Sequence, residues 1–257
     1  MKRIVTKILC VAIVMVCLLQ SISGQDKAMR IGFQVSPVLS WITNNDNLIL
    51  KNGGNLGLKL GTTADIFFKD NYSFTLGINL AFHEGGEFLY EIGGDYLPKS
   101  AFTEELKLQS ELKPLPDGTR IRYSLQYVEF PVGLKIRSKE FGYIRYFVEA
   151  PVFHFAFLTR ARGDIDTGSA QFERENIYKD LTVFNIFWGL GAGLEYSISE
   201  NNALVFGIYY QNGLIDFTKD QGHRAIDNPE IIPPFLIQED DSKATVNNII
   251  LKLGILF

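Results

Sequence analysis

Cysteine is nearly absent from this chain, which has 2 cysteines among 257 residues. Both of them, Cys10 and Cys17, lie in the first 24 residues, so the rest of the chain has no thiol for a disulfide or a thiolate metal site. Histidine is scarce as well, and His83, His154 and His223 show no metal-ligand spacing. The sequence therefore gives no support to a disulfide framework or a metal centre, and we expect no cofactor.

Long apolar runs are also missing after residue 19. A transmembrane helix needs about 18 or more consecutive apolar residues, and no later stretch approaches that length. Aromatic residues are plentiful instead, and the 20 Phe, 11 Tyr and 2 Trp all lie after residue 24. The sequence therefore predicts no transmembrane helix.

The first 24 residues have the composition of a secretory signal peptide. Residues 2–7 carry three basic side chains, residues 8–19 are apolar, and the small residues among 21–24 suit cleavage before Gln25. An apolar segment of about 12 residues is too short to span about 30 Å of hydrocarbon, which disfavours an uncleaved anchor. We predict a signal peptide over residues 1–24 and one exported domain over residues 25–257.

The exported part is acidic. Removing the 3 basic residues of the leader from the total of 25 leaves 22 Lys and Arg against 29 Asp and Glu, a formal charge of −7. Because nucleic-acid binding needs clustered basic side chains that neutralise phosphates, we expect no nucleic-acid partner.

Apolar and polar side chains alternate along eight segments of the exported part. From Met29 to Trp41 the odd positions are mostly apolar and the even positions small or polar. Successive side chains of a strand point to opposite faces, so each segment is a strand with one apolar face. In the fourth segment the apolar parity changes between Tyr127 and Val128, which predicts a β-bulge. The predicted strands are residues 29–41, 56–68, 72–83, 120–137, 143–158, 184–196, 204–210 and 245–257.

The connections between these strands alternate in length. Tight turns are predicted at residues 69–71, 138–142 and 197–202. Long polar loops are predicted at residues 42–55, 84–119, 159–183 and 212–244. This alternation, with an even strand count, is typical of outer-membrane barrels with periplasmic turns and extracellular loops. We therefore predict an all-β fold, an eight-stranded antiparallel up-and-down transmembrane β-barrel in the lipid of the bacterial outer membrane, with both termini in the periplasm.

A soluble lipocalin-type barrel is the structural alternative. It would bury the apolar face inside and expose the polar face to water. Here the second face is rich in Gly, Ser, Asn and isolated charges, which suits a narrow lumen better than an aqueous exterior.

Several motifs resemble one known family. Residues 127–135 (Tyr-Val-Glu-Phe-Pro-Val-Gly-Leu-Lys), 147–151, 190–196 and 210–214, together with the terminal Phe257, are similar to the PorT-like outer-membrane β-barrel family. The resemblance implies an eight-stranded barrel in the outer membrane and little chemistry. The founding member is tied to the type IX secretion apparatus, so a secretion-related role is one expectation for this chain.

Charged residues occupy the inward face of the predicted strands. Folding the hairpin about Glu140 is expected to bring Glu129 and Glu149 to one level of the lumen, where buried carboxylates need cations. Pro131 and Pro151 are expected to mark bulges, because proline lacks the N–H that a barrel strand needs. The predicted network is a salt-bridged plug or, alternatively, a proton- or ion-responsive gate. Its members are Lys59, Asp65, Glu129, Lys135, Arg145, Glu149, Glu195 and Lys252.

Two classes of function follow from this interior. Eight strands leave a lumen just filled by side chains, which favours a non-enzymatic protein that interacts with another envelope protein. The alternative is a small channel or an integral-membrane lipid-modifying enzyme, for which His154 is the candidate residue. Alternate glycines at 189, 191 and 193 are interpreted as space for bulky inward neighbours such as Phe147 and Tyr209, since no helix follows them as in a dinucleotide loop.

Two further sites are predicted. By resemblance to other outer-membrane barrels, Phe257 belongs to the signal that the barrel insertion machinery reads. The last long loop contains seven apolar residues at 231–237, and such a contiguous patch tends to mark an interaction surface. Phe235 and Leu236 are its candidate partner contacts. A segment folded over the barrel mouth, or an extension of the last strand, is the structural alternative.

Overall fold

The computed structural model describes residues 29–112, 114–199, 202–219, 222–227, 235–239 and 241–257. The predicted signal peptide and residues 231–234 of the apolar loop segment lie outside these residues. The strands are β1 (Met29–Asn44), β2 (Ile49–Lys69), β3 (Tyr72–Tyr90), β4 (Gly94–Asp95), β5 (Thr119–Arg137), β6 (Ile144–Asp166), β7 (Gln171–Asn176), β8 (Phe184–Ser197), β9 (Ala203–Gly213), β10 (His223–Asp227), β11 (Phe235–Glu239) and β12 (Ala244–Leu256). A helix α1 (Glu104–Leu112) and a 3-10 turn (Tyr178–Asp180) complete the description.

Eight strands close into a ring in which every pairing is antiparallel. The order runs β5-β3-β2-β1-β12-β9-β8-β6, and the pairing of β5 with β6 closes it. The first strand meets the last one directly, with Val35 opposite Leu253 and Val38 opposite Ile250. The predicted eight-stranded up-and-down barrel is therefore confirmed.

The outer face of the ring is apolar because, between bulges, apolar side chains alternate with small or polar ones along the strands. In β1, Phe33 and Leu39 are 58% and 57% exposed, whereas Ser36 and Val38 between them are buried. Aromatic rings border this belt at the end that bears the long connections, here called the loop end, where Trp41 and Trp188 both contact Tyr210. Rings also pair at the opposite turn end, at Phe33–Phe257, Phe68–Phe74 and Tyr143–Tyr196. Two aromatic girdles around an apolar band are the surface that a bilayer requires.

The long connections are more ordered than the sequence suggested. β2 and β6 have 21 and 23 residues, and β6 continues past the belt to form a hairpin with β7. Beyond the belt, the inward side chains of the extended strands form one apolar cluster. It includes Phe88, Tyr123, Leu158, Ile165 and Phe217, which are all buried. The expectation of polar loops at residues 42–55, 84–119 and 159–183 was therefore wrong for large parts of each. Alternation continues there, with the apolar face turned inward.

Bulges set which residues face the lumen. At Ala150 and Pro151 two residues of β6 oppose one of β5, so the bulge predicted at Pro151 is confirmed. Pro131, by contrast, pairs with His154 in regular register, so a bulge there is wrong. The β5 bulge predicted after Tyr127 is also wrong, since Tyr127 and Glu129 are both buried on one face, and the extra residue at this level is Thr159 of β6. The apolar residues of β5 simply change side at the belt, from the lumen to the lipid.

A small second sheet lies at the loop end. β10 pairs with β11 and, through His223 and Arg224, with β4. Phe235 and Leu236 belong to β11, opposite Asp227 and Ile226. Among the described residues, no helix is long and apolar enough to cross a membrane.

Candidate functional site

The interior of the barrel holds ten charged side chains in two layers. The turn-end layer contains Arg30, Asp65, Lys135, Arg137, Glu149, Glu195 and Lys252. The loop-end layer contains Lys59, Glu84 and Glu129, with His154 beside them. Nine of the ten are buried, and Arg30, at the rim, is partly exposed. Because isolated buried charges are costly, the charged side chains of each layer are expected to pair with one another.

In the turn-end layer, Asp65 and Glu195 are the shared acceptors. Lys135 Nζ lies 3.0 Å from Asp65 Oδ2, and the guanidinium of Arg137 donates both to Asp65 and, at 2.9 Å, to Glu195 Oε1. Arg30 Nη1 reaches Glu195 Oε2 at 3.3 Å. Four strands, β1, β2, β5 and β8, are thereby tied across the lumen.

Glu149 occupies the other side of this layer. The hydroxyl of Tyr209 donates to Glu149 Oε2 at 2.7 Å, and the ammonium groups of Lys135 and Lys252 each lie 3.9 Å from that oxygen. The rings of Phe147 and Tyr209 also lie beneath these two ammonium groups, at 5.0 and 5.1 Å from the ring centres. Cation–π contact therefore adds to the ion pairs.

Lys59 is the hub of the loop-end layer. Its Nζ lies 2.9 Å from Glu129 Oε1, 3.0 Å from Glu84 Oε1 and 2.6 Å from Gln211 Oε1. His154 Nδ1 lies 3.3 Å from Glu129 Oε2. One lysine thus faces two carboxylates, and the imidazole is the second potential cation.

The two layers have opposite formal charges. The turn-end layer has four basic and three acidic groups, and the loop-end layer has one basic and two acidic groups when His154 is neutral. Together the layers hold five groups of each sign. The barrel interior is therefore neutral as a whole, and the layers attract each other.

A cavity of about 40 Å³ with a mixed polar and apolar lining lies between the layers. Its walls include Ser36, Thr63, His154 and Lys252. The hydroxyl groups of Ser36 and Thr63 are buried and have no protein partner among the described residues. A cavity of this size accommodates water, and buried water is the usual partner of such groups.

Glycines on β8 make room for the large lumen side chains. A Cβ on Gly191 would lie 2.1 Å from Tyr209 Cδ1, and one on Gly193 would lie 2.7 Å from Phe147 Cζ. Real Cβ atoms do not approach other atoms so closely. The interpretation of these glycines as space for Phe147 and Tyr209 is confirmed for Gly191 and Gly193, whereas a Cβ on Gly189 would meet the backbone oxygen of Tyr210 at 2.5 Å instead.

Most of the predicted lumen residues lie in these layers, but Arg145 does not. It pairs with Glu140 at 2.6 Å, and the two side chains are 37% and 32% exposed. Arg145 has the inward parity of β6, yet it is the second residue of that strand, so its side chain reaches water at the rim. Arg145 is therefore corrected from the lumen network to the surface of the turn end.

The expected meeting of Glu129 and Glu149 was also wrong. Glu149 lies opposite Lys135, and Glu129 lies opposite Ala156. The hairpin turns nearer Gly142 than Glu140, and the bulge at Pro151 shifts the register by one residue more. The two carboxylates consequently fall in different layers.

Three members of the layers were missed. Arg30 and Arg137 share the inward parity of their strands, so the alternation could have identified them. Glu84 gave no such signal. Two residues of β3, Phe82 and His83, oppose one residue of β5, and His83 has φ 60°, which turns Glu84 into the lumen. Bulges re-aim side chains in this way.

The predicted terminal and loop residues lie outside the layers. Phe257 is half-exposed at the turn end, where its ring contacts Phe33 and its N–H donates to Ile31 O at 2.8 Å. Phe235 and Leu236 lie in the small sheet at the loop end. Among the described residues, no group of three His, Cys, Asp or Glu side chains could hold a metal ion.

The family of the chain is established by a match over most of its length. Residues 23–219 match the family described as outer membrane protein beta-barrel domain, and the chain belongs to that family. It is an integral β-barrel protein of the bacterial outer membrane. No curated protein matches the chain.

Solved barrels with a similar fold share little sequence with this chain. Neisserial surface protein A has 9% identity and a TM-score of 0.41, with 90% of this chain and 96% of that chain covered. OprG from Pseudomonas aeruginosa has 10% identity and a TM-score of 0.45, with 91% and 98% covered. Ail from Yersinia pestis has 12% identity and a TM-score of 0.36, with 89% and 98% covered.

Proposed function

We propose that this protein is a non-enzymatic outer-membrane barrel with a plugged lumen, whose loop end binds another component of the cell envelope. The observation that supports a plug is the stacking of three levels of buried side chains in the lumen. The two charged layers lie one above the other, and the apolar cluster around Tyr123 and Phe217 lies above both. An eight-stranded barrel has an interior that side chains can just fill, whereas water-filled porins need about 16 strands.

Single-channel conductance tests the plug. The folded full-length protein, reconstituted in a planar bilayer, should give no discrete current steps, with a porin reconstituted in the same way as the positive control. Steady steps from this protein would overturn the plug in favour of a small channel. Steps that appear only at acidic pH would favour the proton-responsive gate.

The partner is proposed to contact the small sheet of β4, β10 and β11. The support is the apolar run at residues 231–237, which continues into β11 with Phe235 and Leu236. The finer resemblance to the PorT-like family adds the type IX secretion apparatus as the source of that partner.

Cross-linking in intact envelopes tests the contact. A photoreactive residue at Ile237 should capture a discrete protein, and replacing Phe235 and Leu236 by serine should abolish the adduct while the barrel stays heat-modifiable. Leu108→Ser is the matched control, because Leu108 is 61% exposed on α1 and lies outside this sheet. An unchanged adduct in the double variant would refute the docking site.

A lipid-modifying enzyme is the second candidate. The observation that favours it is the 3.3 Å separation of His154 Nδ1 from Glu129 Oε2, because a histidine beside a carboxylate is one part of a general base. Among the described contacts, no serine or threonine hydroxyl bonds to His154. Mass spectrometry of lipid from cells with wild-type protein or His154→Gln tests it, and a lipid change that depends on His154 would replace the non-enzymatic proposal.

A further inference from the structure

Arginines line the outer face of β5 and β6 immediately above the apolar belt. The register shows where the belt ends, since Thr159 is bulged out between Leu158 and Arg160. Towards the loop end, successive outward pairs are Val128–Phe157, Gln126–Arg160, Ser124–Arg162 and Arg122–Asp164. We call Arg122, Arg160 and Arg162 the arginine patch.

The lowest residue of the patch, Arg160, lies at the depth of lipid headgroups. A strand rises about 3.3 Å per residue and a barrel strand tilts by about 40°, so each outward pair lies about 5 Å above the previous one. The headgroup region extends about 5–7 Å beyond the hydrocarbon on each side of a bilayer. Arg160 is one step, about 5 Å, above Phe157 and is therefore at headgroup level, whereas Arg162 and Arg122 lie two and three steps, about 10 and 15 Å, above Phe157 and beyond that region.

The guanidinium groups of Arg160 and Arg162, the lower part of the patch, are not fully hydrogen-bonded within the described part of the chain. Arg160 is exposed and makes no side-chain hydrogen bond or ion pair within the described part of the chain. Arg162 uses Nη1 to donate to Arg174 O at 3.0 Å, and its Nε is buried without a partner among the described residues. Arg160 therefore keeps its guanidinium N–H groups available for a ligand, whereas the buried Nε of Arg162 is out of reach and Arg162 can offer only the N–H groups of its Nη atoms.

Carboxylates lie above these two arginines and not beside them. Glu87 pairs with Arg122 at 2.7 Å, and Asp164 accepts from Arg174 N at 2.8 Å. On other strands, the outward side chains at the upper border of the belt include Trp41, Trp188 and Tyr210, which are uncharged. The positive charge at headgroup depth is thus concentrated on one side of the barrel.

We propose that Arg160, with Arg162 above it, binds the phosphate of a phosphorylated glycolipid in the outer leaflet of the membrane. A guanidinium matches a phosphate with two parallel charge-assisted hydrogen bonds, which a lysine cannot do. Phe155 and Phe157 lie below Arg160 on the same face, where the acyl chains of that lipid would pack. The assignment to the outer leaflet follows if the loop end faces the outside of the cell.

Native mass spectrometry of the folded full-length barrel in detergent tests the site. The probes are bis-phosphorylated lipid A, the same lipid with its phosphates removed, and phosphatidylglycerol. Arg160→Gln should raise the Kd for bis-phosphorylated lipid A several-fold, and Arg160→Gln with Arg162→Gln should raise it about tenfold or more. Lys139→Gln, an exposed cation in the turn between β5 and β6, is the matched control and should leave the Kd unchanged.

Each arm has a defined consequence. Equal Kd values for the wild type and Arg160→Gln would overturn the site, and so would equal binding of the dephosphorylated lipid. If phosphatidylglycerol bound with the same Kd, the site would bind phosphate-bearing lipids in general, and the assignment to a glycolipid would be overturned. Because Arg162 also supports the β6–β7 hairpin, Arg160→Gln alone decides the matter if the double variant does not fold.

Discussion

Lys59 lies between Glu84 and Glu129, and its replacement tests whether the loop-end layer stabilises the barrel. All three side chains are buried, so Lys59→Met leaves two carboxylates with no ammonium partner. Breaking a buried ion pair by removing one partner typically costs about 3–5 kcal/mol. We expect a loss of that size in the free energy of unfolding, measured by urea titration of the barrel in lipid vesicles.

An exposed pair supplies the control at the same scale. Arg145→Gln removes the partner of Glu140 at the rim, where solvent screens the charges, and should change the free energy of unfolding by less than about 1 kcal/mol. Replacing Lys59, Glu84 and Glu129 together by apolar residues should recover much of the loss, because no unpaired charge then remains. If Lys59→Met and Arg145→Gln changed the free energy of unfolding equally, the loop-end layer would not stabilise the barrel.

At the scale of elements, alternation predicts a strand well and its bulges poorly. The two faces of a strand can be identified from the sequence because the lipid side must be apolar. Parity alone therefore assigned seven of the eight predicted lumen charges correctly, all except Arg145. A bulge depends on one backbone conformation, such as the positive φ of His83, and leaves no mark in the hydropathy pattern. Glu84 was therefore unpredictable, and the level of Glu149 was misjudged.

The fit of β8 against β6 and β9 gives an element-scale prediction. Gly191→Ala places a Cβ 2.1 Å from the ring of Tyr209, which must shift and weaken its hydrogen bond to Glu149. Overpacking of this kind typically costs about 1–3 kcal/mol. Unfolding in urea measures the loss, and Tyr209→Leu in the same chain should relieve the clash.

Gly53→Ala is the control for this substitution. The nearest atom to a Cβ on Gly53 is 3.9 Å away, so the added methyl meets ordinary van der Waals contact. If Gly191→Ala were no more destabilising than Gly53→Ala, the small-residue face of β8 would not be required by packing.

The lipid face of β12 gives a second prediction at this scale. Leu251 is 45% exposed and lies within the belt, opposite Ile208 of β9. An arginine on the lipid face costs roughly 2–4 kcal/mol near the bilayer midplane. Leu251→Arg should lower the free energy of unfolding in vesicles by that amount, whereas Leu108→Arg on the exposed side of α1 should not. If neither Leu251→Arg nor Leu108→Arg lowered the free energy of unfolding, Leu251 would lie outside the hydrocarbon.

At the scale of the whole molecule, the ring could be predicted and the loop end could not. Eight alternating segments joined by alternately short and long connections define a closed barrel, because every apolar face must meet lipid. Beyond the belt the apolar side chains point inward, as those of Tyr123 and Leu158 do. In the sequence they alternate with outward charged residues such as Arg120 and Arg122. A segment with that composition is easily mistaken for a polar loop.

The orientation of the barrel is the last prediction, and it rests on the difference between the two ends. Within the described residues, the turn end has only short hairpins, whereas the loop end carries α1 and two additional hairpins, as expected for the outside of an outer-membrane barrel. Cysteine at Asp164 or Asp227 should react with an impermeant maleimide on whole cells. Cysteine at Asn71 should react only after the outer membrane is breached.

The native chain gives this experiment a clean background, because its only cysteines are Cys10 and Cys17, within the predicted signal peptide. Asn201, in the turn predicted at residues 197–202, would be a second turn-end position, but it lies outside the described residues. Labelling of Asn71→Cys on intact cells, with protection of Asp164→Cys, would reverse the barrel. The arginine patch would then face the inner leaflet, so the labelling pattern also decides which lipid that patch can meet.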